Sequence, residues 1–512
     1  LDAWSSINHV TLSLQNGTDS LSLALHNYVR VSAAAIDNTK DTTRIGIANS
    51  GWWGLDVQVQ PYMGSFFVKG DYNGAFNVAL QSSATNETLS SIDIPSRSVN
   101  GGWTKHEFSL TPSKAATTIN NMLEIDASNA TKYLDFNLIS LFPPTYNNRT
   151  NGFRVELMEA IAELKPKFLR LPGGGNVNGI LKGTQHKWNE TIEPLETRPG
   201  RTAVWGYYET QVLVVWSGLN HVDGPISAEE LTCYVHDAID QIEFITGAAG
   251  TTFGALRASL GYPNPWKLKY VQIGNEENLT GGLESYEEYR LEMFYAAIKA
   301  KYPDLTIMAS TSGFTSNLMR PDVAGDQHKY TIPDRFVGEY FGFFDHIKQQ
   351  TIVSEVVLVA PNSDTLPSNR ADYVKYMYPF WLGSVGEAVF ALGAERNGDR
   401  VIGMSYAPLL TNMDGAQWTP TILVSARTAR STSFQVYKLL ASHALTEVLP
   451  STADAGFGPL YWVSGRDNAT DAFVFKAAVY NSTAAIPMEV LFDGVGEGAV
   501  AELTILTSAL IT

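Results

Sequence analysis

Between about residue 151 and residue 410 the apolar residues switch repeatedly between helical and strand spacing, and this alternation limits the fold more than any other feature. Phe153 to Leu164 carries Val155, Met158, Ile161 and Leu164 on one helical stripe, and Phe168-Leu169-Arg170 then reads as a strand. Gln211 to Trp216 is a β-branched strand. Ser227 with Glu230 forms a capping box that opens a helix with Leu231, Val235, Ala238, Ile242 and Ile245 on one face, ending at Gly247. The strand Tyr270 to Ile273 follows, then a second capping box at Ser285 and Glu288 whose helix stops at Pro303. Strands at Leu305 to Ala309, Asp326 to Tyr330, Ile352 to Glu355 and Val401 to Tyr406 complete the series, the last preceded by a helix from Ser384 to Leu392. Such alternation implies parallel strands with helical crossovers, and polar groups at several strand ends point to a (β/α)8 TIM barrel. Only seven strands are legible, and no amphipathic helix is visible between Arg170 and Gln211.

The flanks read differently. Residues 1–142 are all-β, with strands expected at Val10 to Leu14, Leu21 to Leu25, Ser65 to Val68, Ala75 to Leu80, Trp103 to Leu110 and Leu134 to Leu141. Short strands separated by turn residues suggest a β-sandwich, with Trp52 and Trp53 in its core, and Pro143-Pro144 marks its end. After residue 425, Tyr461 to Val463, Phe473 to Tyr480, Met488 to Phe492 and Leu503 to Leu506 suggest a second sandwich. The expected domains are 1–142, a barrel over 143–425 and a C-terminal sandwich over 426–512.

A formal net charge of −16 disfavours nucleic acid and anionic membranes as partners. No apolar run is long enough to span a bilayer. The single cysteine, Cys233, permits no disulfide within the chain and is expected as inert helix packing. Eight Asn-x-Ser/Thr sequons, at Asn16, Asn86, Asn129, Asn148, Asn189, Asn278, Asn468 and Asn481, favour a secreted glycoprotein, all but Asn278 being taken as glycan sites. Leu1-Asp2-Ala3-Trp4 lacks signal-peptide character, so a leader is expected to be removed or absent. A monomer is expected.

Chemistry concentrates in Tyr270-Val-Gln-Ile-Gly-Asn275-Glu276, a strand that stops at a glycine and then presents an amide and a carboxylate. An amide can hold a sugar hydroxyl, and a carboxylic acid can protonate a glycosidic oxygen. The second carboxylate such chemistry needs is supplied by Glu355, at the end of Thr351-Ile-Val-Ser-Glu. Carboxyl groups roughly 5 Å apart would make such a reaction retaining, and a wider pair inverting. Arg170 is a candidate partner for the nucleophile or a barrel-interior ion pair. His328 and Tyr330 are spaced to face one side of a strand, and Asp326 and Tyr330 flanking His328 suggest a site wall. The Pro172-Gly-Gly-Gly175 loop lacks the Gly-Lys-Ser/Thr of a phosphate cradle, so its glycines are read as letting backbone approach a sugar. Trp188, Trp205 and Trp418 are candidate stacking platforms. The nine histidines do not cluster, so neither a metal nor a cofactor is expected.

Several stretches together resemble the α-L-arabinofuranosidases of glycoside hydrolase family 51, most closely the fungal branch. They are Phe168-Leu-Arg-Leu-Pro-Gly-Gly-Gly-Asn176, Gly274-Asn-Glu276, His328-Lys-Tyr330, Ser354-Glu355, Ser405-Tyr-Ala-Pro-Leu-Leu-Thr-Asn412 and Ala416-Gln-Trp-Thr-Pro420. Gly51-Trp-Trp-Gly-Leu55 looks like that branch's inserted carbohydrate-binding-like sandwich. The resemblance implies acid/base and nucleophile roles for Glu276 and Glu355, and arabinose contacts from Asn176, Asn275, Tyr330 and Gln417. It implies an exo-acting enzyme releasing arabinofuranose from arabinoxylan or arabinan. The family's Gly-x-Phe-Phe-Glu-like first strand and its Asp-Gly-Leu-Gly-Leu stretch with the helix after it have no counterpart in these residues, matching the missing first strand and the missing crossover helix. Val356-Val357 stands where the family has Tyr-Ala, and Gly175 where it has Asn. Alternative readings are another retaining barrel glycosidase, such as a β-xylosidase or endoglucanase, and a non-catalytic carbohydrate-binding protein.

Overall fold

The computed structural model describes the chain except residues 9, 34–44, 99–100, 128–129, 131–132, 201–213, 312–319, 363–375, 377, 412–419, 425–427 and 509–512. It divides into two compact units, Leu1–Met158 with Ile192–Gly200, and Glu159–Thr191 with Arg201–Thr512.

The first unit is built from two five-stranded antiparallel sheets. One runs Trp4–Ile7, Gly46–Asn49, Asn121–Ala127, Ala75–Ser82, Thr88–Pro95; the other runs Val10–Asn16, Asn27–Ala33, Tyr133–Phe142, Tyr62–Lys69, Trp103–Leu110. Strict alternation sets which face is inside. Along Trp103–Leu110, His106, Phe108 and Leu110 are buried while Lys105, Glu107 and Ser109 face out. Phe66, Phe76, Val78, Leu80, Leu123 and Phe136 fill the core that the sheets share.

Two expectations fail here for local reasons. Leu21–Leu25 is not a strand: the Ser22 hydroxyl accepts from the Ala24 and Leu25 amides, which gives those donors a partner without a ladder. Trp52 and Trp53 are not core; they are 70% and 46% exposed. They occupy a turn between Gly51 (φ 67°) and Gly54 (φ 90°), and turn side chains project outward.

The second unit contains a five-stranded, all-parallel sheet in sequence order: Tyr270–Ile273, Thr306–Ser310, Ala324–Thr331, Thr351–Leu358, Val401–Tyr406. Val215 adds a parallel bridge to Ile273 at the first edge. The Ala228–Thr246 helix opens with the Ser227–Glu230 capping box and buries Leu231, Val235, Ala238, Ile242 and Ile245. The second capping box does not form. Helix begins earlier, at Leu283, so Ser285 lies inside it and donates to the Gly282 carbonyl. Phe168–Arg170, expected as a strand, joins no sheet among the described residues. Its Phe168 ring lies so close to Gly403 of the Val401–Tyr406 strand that a Cβ there would come within 2.5 Å of it.

Toward the C-terminus, Glu447–Val448, Leu460–Asp467 and Ala472–Val479 form a three-stranded antiparallel sheet. It packs through Val463 and Tyr480 on Val389 and Leu392 of the Trp381–Arg396 helix. The strands expected at Met488–Phe492 and Leu503–Leu506 are absent from the described residues: Met488, Val490, Leu491, Leu503 and Ile505 are exposed, with no opposing face to bury them. Among the described residues no helix is long and apolar enough to cross a membrane.

Candidate active site

The C-terminal ends of the parallel strands gather the polar residues. Gly274 ends the first strand at φ 76°, and a Cβ on it would lie 2.0 Å from the Glu277 carboxylate. The chain then turns through Glu276 at φ 52°, a left-handed conformation that costs a non-glycine residue about 1–3 kcal/mol. Three contacts hold it there. Ser310 Oγ accepts from the Glu276 amide (3.1 Å), the Ser310 carbonyl accepts from the Glu277 amide (2.9 Å), and Glu277 Oε1 accepts from the Asn275 amide (2.9 Å). Glu277 is itself fully buried against Arg290, which also donates to Ser217 Oγ and the Gly282 carbonyl. Burial pushes the Glu277 carboxyl up, opposed by the Arg290 charge.

Glu276 and Glu355 meet across this face. Each offers a carboxylate oxygen within 4.8 Å of the other's and of a ring nitrogen of His328. Arg170 Nη1 donates to Glu355 Oε1 (2.8 Å) and the Tyr330 hydroxyl to Oε2 (2.5 Å). His328 Nδ1 sits between the acids, 2.9 Å from Glu276 Oε1 and 3.4 Å from Glu355 Oε2. Its Nε2 faces Asp326 Oδ2 at 3.0 Å.

Asp326 is the hub beneath. It accepts from Gln272 Nε2 (3.0 Å), Ser310 Oγ (2.9 Å) and the Ser354 hydroxyl, and lies 3.8 Å from Arg170. Burial opposes its charge, but His328 and Arg170 win and hold it well below the usual carboxylate range. The converse holds for His328: burial pushes the imidazole down, and the charges of Glu355 and Asp326 overcome it, raising the group to about 10. At neutral pH both ring nitrogens therefore carry protons. The Glu276–His328–Glu355 trio has the spacing of a cation site, but an imidazolium has no lone pair to give a metal.

Arg170 spans the site. Besides Glu355, it donates to Gln272 Oε1 (2.8 Å) and Asn275 Oδ1 (2.7 Å). One glycine of the loop makes room for this guanidinium. Gly173 has φ 62°, and a Cβ on it would lie 2.5 Å from Arg170 Nη1. Buried polar atoms without a described partner remain at Asn176 Oδ1 and Asn275 Nδ2, an acceptor and a donor free for ligand hydroxyls.

Gln417, Trp418 and Trp205 lie outside the described residues. Trp188 is not a platform: it is buried against Phe244 and Phe253, with its indole N–H bonded to Asp237. Cys233 is exposed rather than packed. Sequence reasoning placed Asp326 on the site wall but passed over Gln272, Glu277, Arg290 and Ser310 as site residues. For Gln272 the available signal was an amide inside an otherwise apolar strand.

Comparison with known proteins supplies the family. Residues 160–349 match the description "Alpha-L-arabinofuranosidase 1 domain", and residues 359–512 match "Alpha-L-arabinofuranosidase C-terminal domain". A probable α-L-arabinofuranosidase A of Aspergillus terreus is 35% identical over 94% of this chain and 78% of its own length. The α-L-arabinofuranosidase A of Aspergillus kawachii is 34% identical with the same coverage. A solved structure of an arabinose-bound GH51 α-L-arabinofuranosidase superposes with a TM-score of 0.84 at 30% identity, covering 93% of this chain and 80% of that one. At this identity and coverage, the chain belongs to the α-L-arabinofuranosidases of glycoside hydrolase family 51.

Proposed function

We propose that the protein is a retaining, exo-acting α-L-arabinofuranosidase that removes terminal arabinofuranosyl residues from arabinoxylan, arabinan and their oligosaccharides. The observation that carries this is the pair of carboxylates with oxygens within 4.8 Å. Retaining enzymes place their carboxyl groups about 5–5.5 Å apart, and inverting ones wider, to admit a water. Glu355 is the nucleophile. Both its oxygens are oriented by donors, Arg170 and Tyr330, and one attacks the anomeric carbon while the glycosidic bond breaks. Glu276 gives its proton to the departing oxygen, then takes one from the water that cleaves the glycosyl ester. His328 holds Glu276 and Glu355 at one spacing, and Asn176 and Asn275 offer partners to arabinose hydroxyls. No step calls for a cofactor.

The parallel strands, extended at Val215, support a (β/α)8 barrel over 143–425 with this site on its C-terminal face. A carbohydrate-binding role for 1–142 draws support from exposed Trp52 and Trp53, whose faces can stack on sugar rings. Secretion and glycosylation remain our reading of the sequons. Asn16, Asn86, Asn148, Asn189, Asn468 and Asn481 are exposed, Asn278 is half-buried, and Asn129 lies outside the described residues.

The assignment is tested with 4-nitrophenyl α-L-arabinofuranoside. Glu355→Ala and Glu276→Ala should each lose at least about a thousandfold in kcat on natural oligosaccharide. Azide should restore aryl-glycoside turnover to both. Glu276→Ala should give the α-azide after two inversions, and Glu355→Ala the β-azide after one. Near-wild-type turnover in either variant would refute the roles.

A further inference from the structure

The loop that follows Val215 carries a histidine the reaction above does not use. Leu219–Asn220 pairs with Gly224–Pro225, which puts His221 at the start of a short tip. The tip is pinned to the segment beside the site. The His221 amide donates to the Gly179 carbonyl (3.1 Å), Val222 to Ile180 (3.0 Å) and Asn220 Nδ2 to Asn178 (2.6 Å), while Asn178 Nδ2 reaches the Asn275 carbonyl (3.0 Å). His221 is thus tied, through two side-chain amides, to the residue before Glu276.

Its ring is the unusual part. Nε2 is shielded from solvent and has no hydrogen-bond partner among the described residues. Burial lowers the imidazole's basicity, opposed by the Glu276 carboxylate. A neutral ring can donate or accept, so it can satisfy either end of a sugar hydroxyl. A buried polar atom left unpaired is costly, and a site built to bond a substrate hydroxyl is one place where that cost is recovered.

Strand order gives the direction. Val215 flanks the Tyr270–Ile273 strand on one side, and the strands bearing His328 and Glu355 lie on the other. His221 therefore approaches Glu276 from the flank remote from Glu355. The arabinofuranosyl carbon must sit by Glu355, so this flank is where the leaving group stands. We propose that His221 is a leaving-group contact, its imidazole Nε2 hydrogen-bonding a hydroxyl of the sugar that carries the arabinofuranosyl residue. This rests on the arabinofuranosidase reading and adds a specificity determinant to it.

The test compares wild type, His221→Phe and His221→Gln on two substrates that share the arabinofuranosyl group. One is 4-nitrophenyl α-L-arabinofuranoside, whose leaving group has no sugar hydroxyl; the other is an arabinofuranosyl-substituted xylo-oligosaccharide. Loss of one substrate hydrogen bond should lower kcat/KM on the oligosaccharide about tenfold in His221→Phe, with the aryl glycoside within about twofold of wild type. His221→Gln should recover part of the loss, and the pH profile should not move. Equal losses on both substrates, no loss on either, or a displaced pH limb would overturn the contact. If His221→Phe fails to fold, the substrate ratio of His221→Gln decides. Wild type unable to cleave either substrate would instead refute the arabinofuranosidase reading.

Discussion

Three acids and two cations share a few ångströms at the residue scale, and their arrangement has measurable consequences. Asp326, Glu276 and Glu355 surround His328, while Arg170 bridges Glu355 and approaches Asp326. His328 is raised from its ordinary 6.5 to about 10. The stabilisation this represents is full below pH 6.5 and is lost as pH rises through about 10. The melting-temperature gap between wild type and His328→Gln should therefore be widest near pH 6 and narrow steadily toward pH 10.5; a gap that widens would contradict the assignment. Arg170→Met leaves buried carboxylates without their counter-charge and should cost about 3–5 kcal/mol in denaturant unfolding. Activity should fall with it. Because His328 offers no lone pair, dialysis against EDTA should leave turnover unchanged, and loss of activity restored by a divalent cation would overturn that view of the trio.

Individual elements place these residues, and here the sequence was informative to different degrees. Periodicity located the Tyr270–Ile273 and Thr306–Ser310 strands and the Ala228–Thr246 helix, because each has a face that must be buried. It placed a strand at Leu21–Leu25, where apolar residues alternate but Ser22 satisfies the backbone locally. Glu276 was legible as an acid following an apolar strand and Glu355 as an acid within one, although that strand does not end at Glu355 but runs on to Leu358. Asp326 as a hub was not, since three of its partners come from distant strands that composition cannot bring together. Nor was the purpose of Gly274, which lies in backbone geometry. Gly274→Ala places a methyl against Glu277 at positive φ, and should cost more than about 2 kcal/mol while displacing Asn275 and Glu276. Ser227→Ala is the matched control: loss of the helix cap should cost about 1 kcal/mol with kcat unchanged.

The whole molecule combines two compact units with separate apolar cores. Separate cores allow separate unfolding, and a ligand stabilises only the unit that binds it. Calorimetry should resolve more than one transition, with arabinose raising the one that belongs to Glu159–Thr191 with Arg201–Thr512; a single transition shifting as a whole would contradict this. The reaction itself depends on two acids nearly eighty residues apart converging on one furanose ring. The stereochemistry of the sugar released reports that convergence directly. Proton NMR of the first minutes of hydrolysis should show α-L-arabinofuranose forming first and mutarotating later. β-L-Arabinofuranose as the initial product would mean that water, not Glu355, attacks the anomeric carbon.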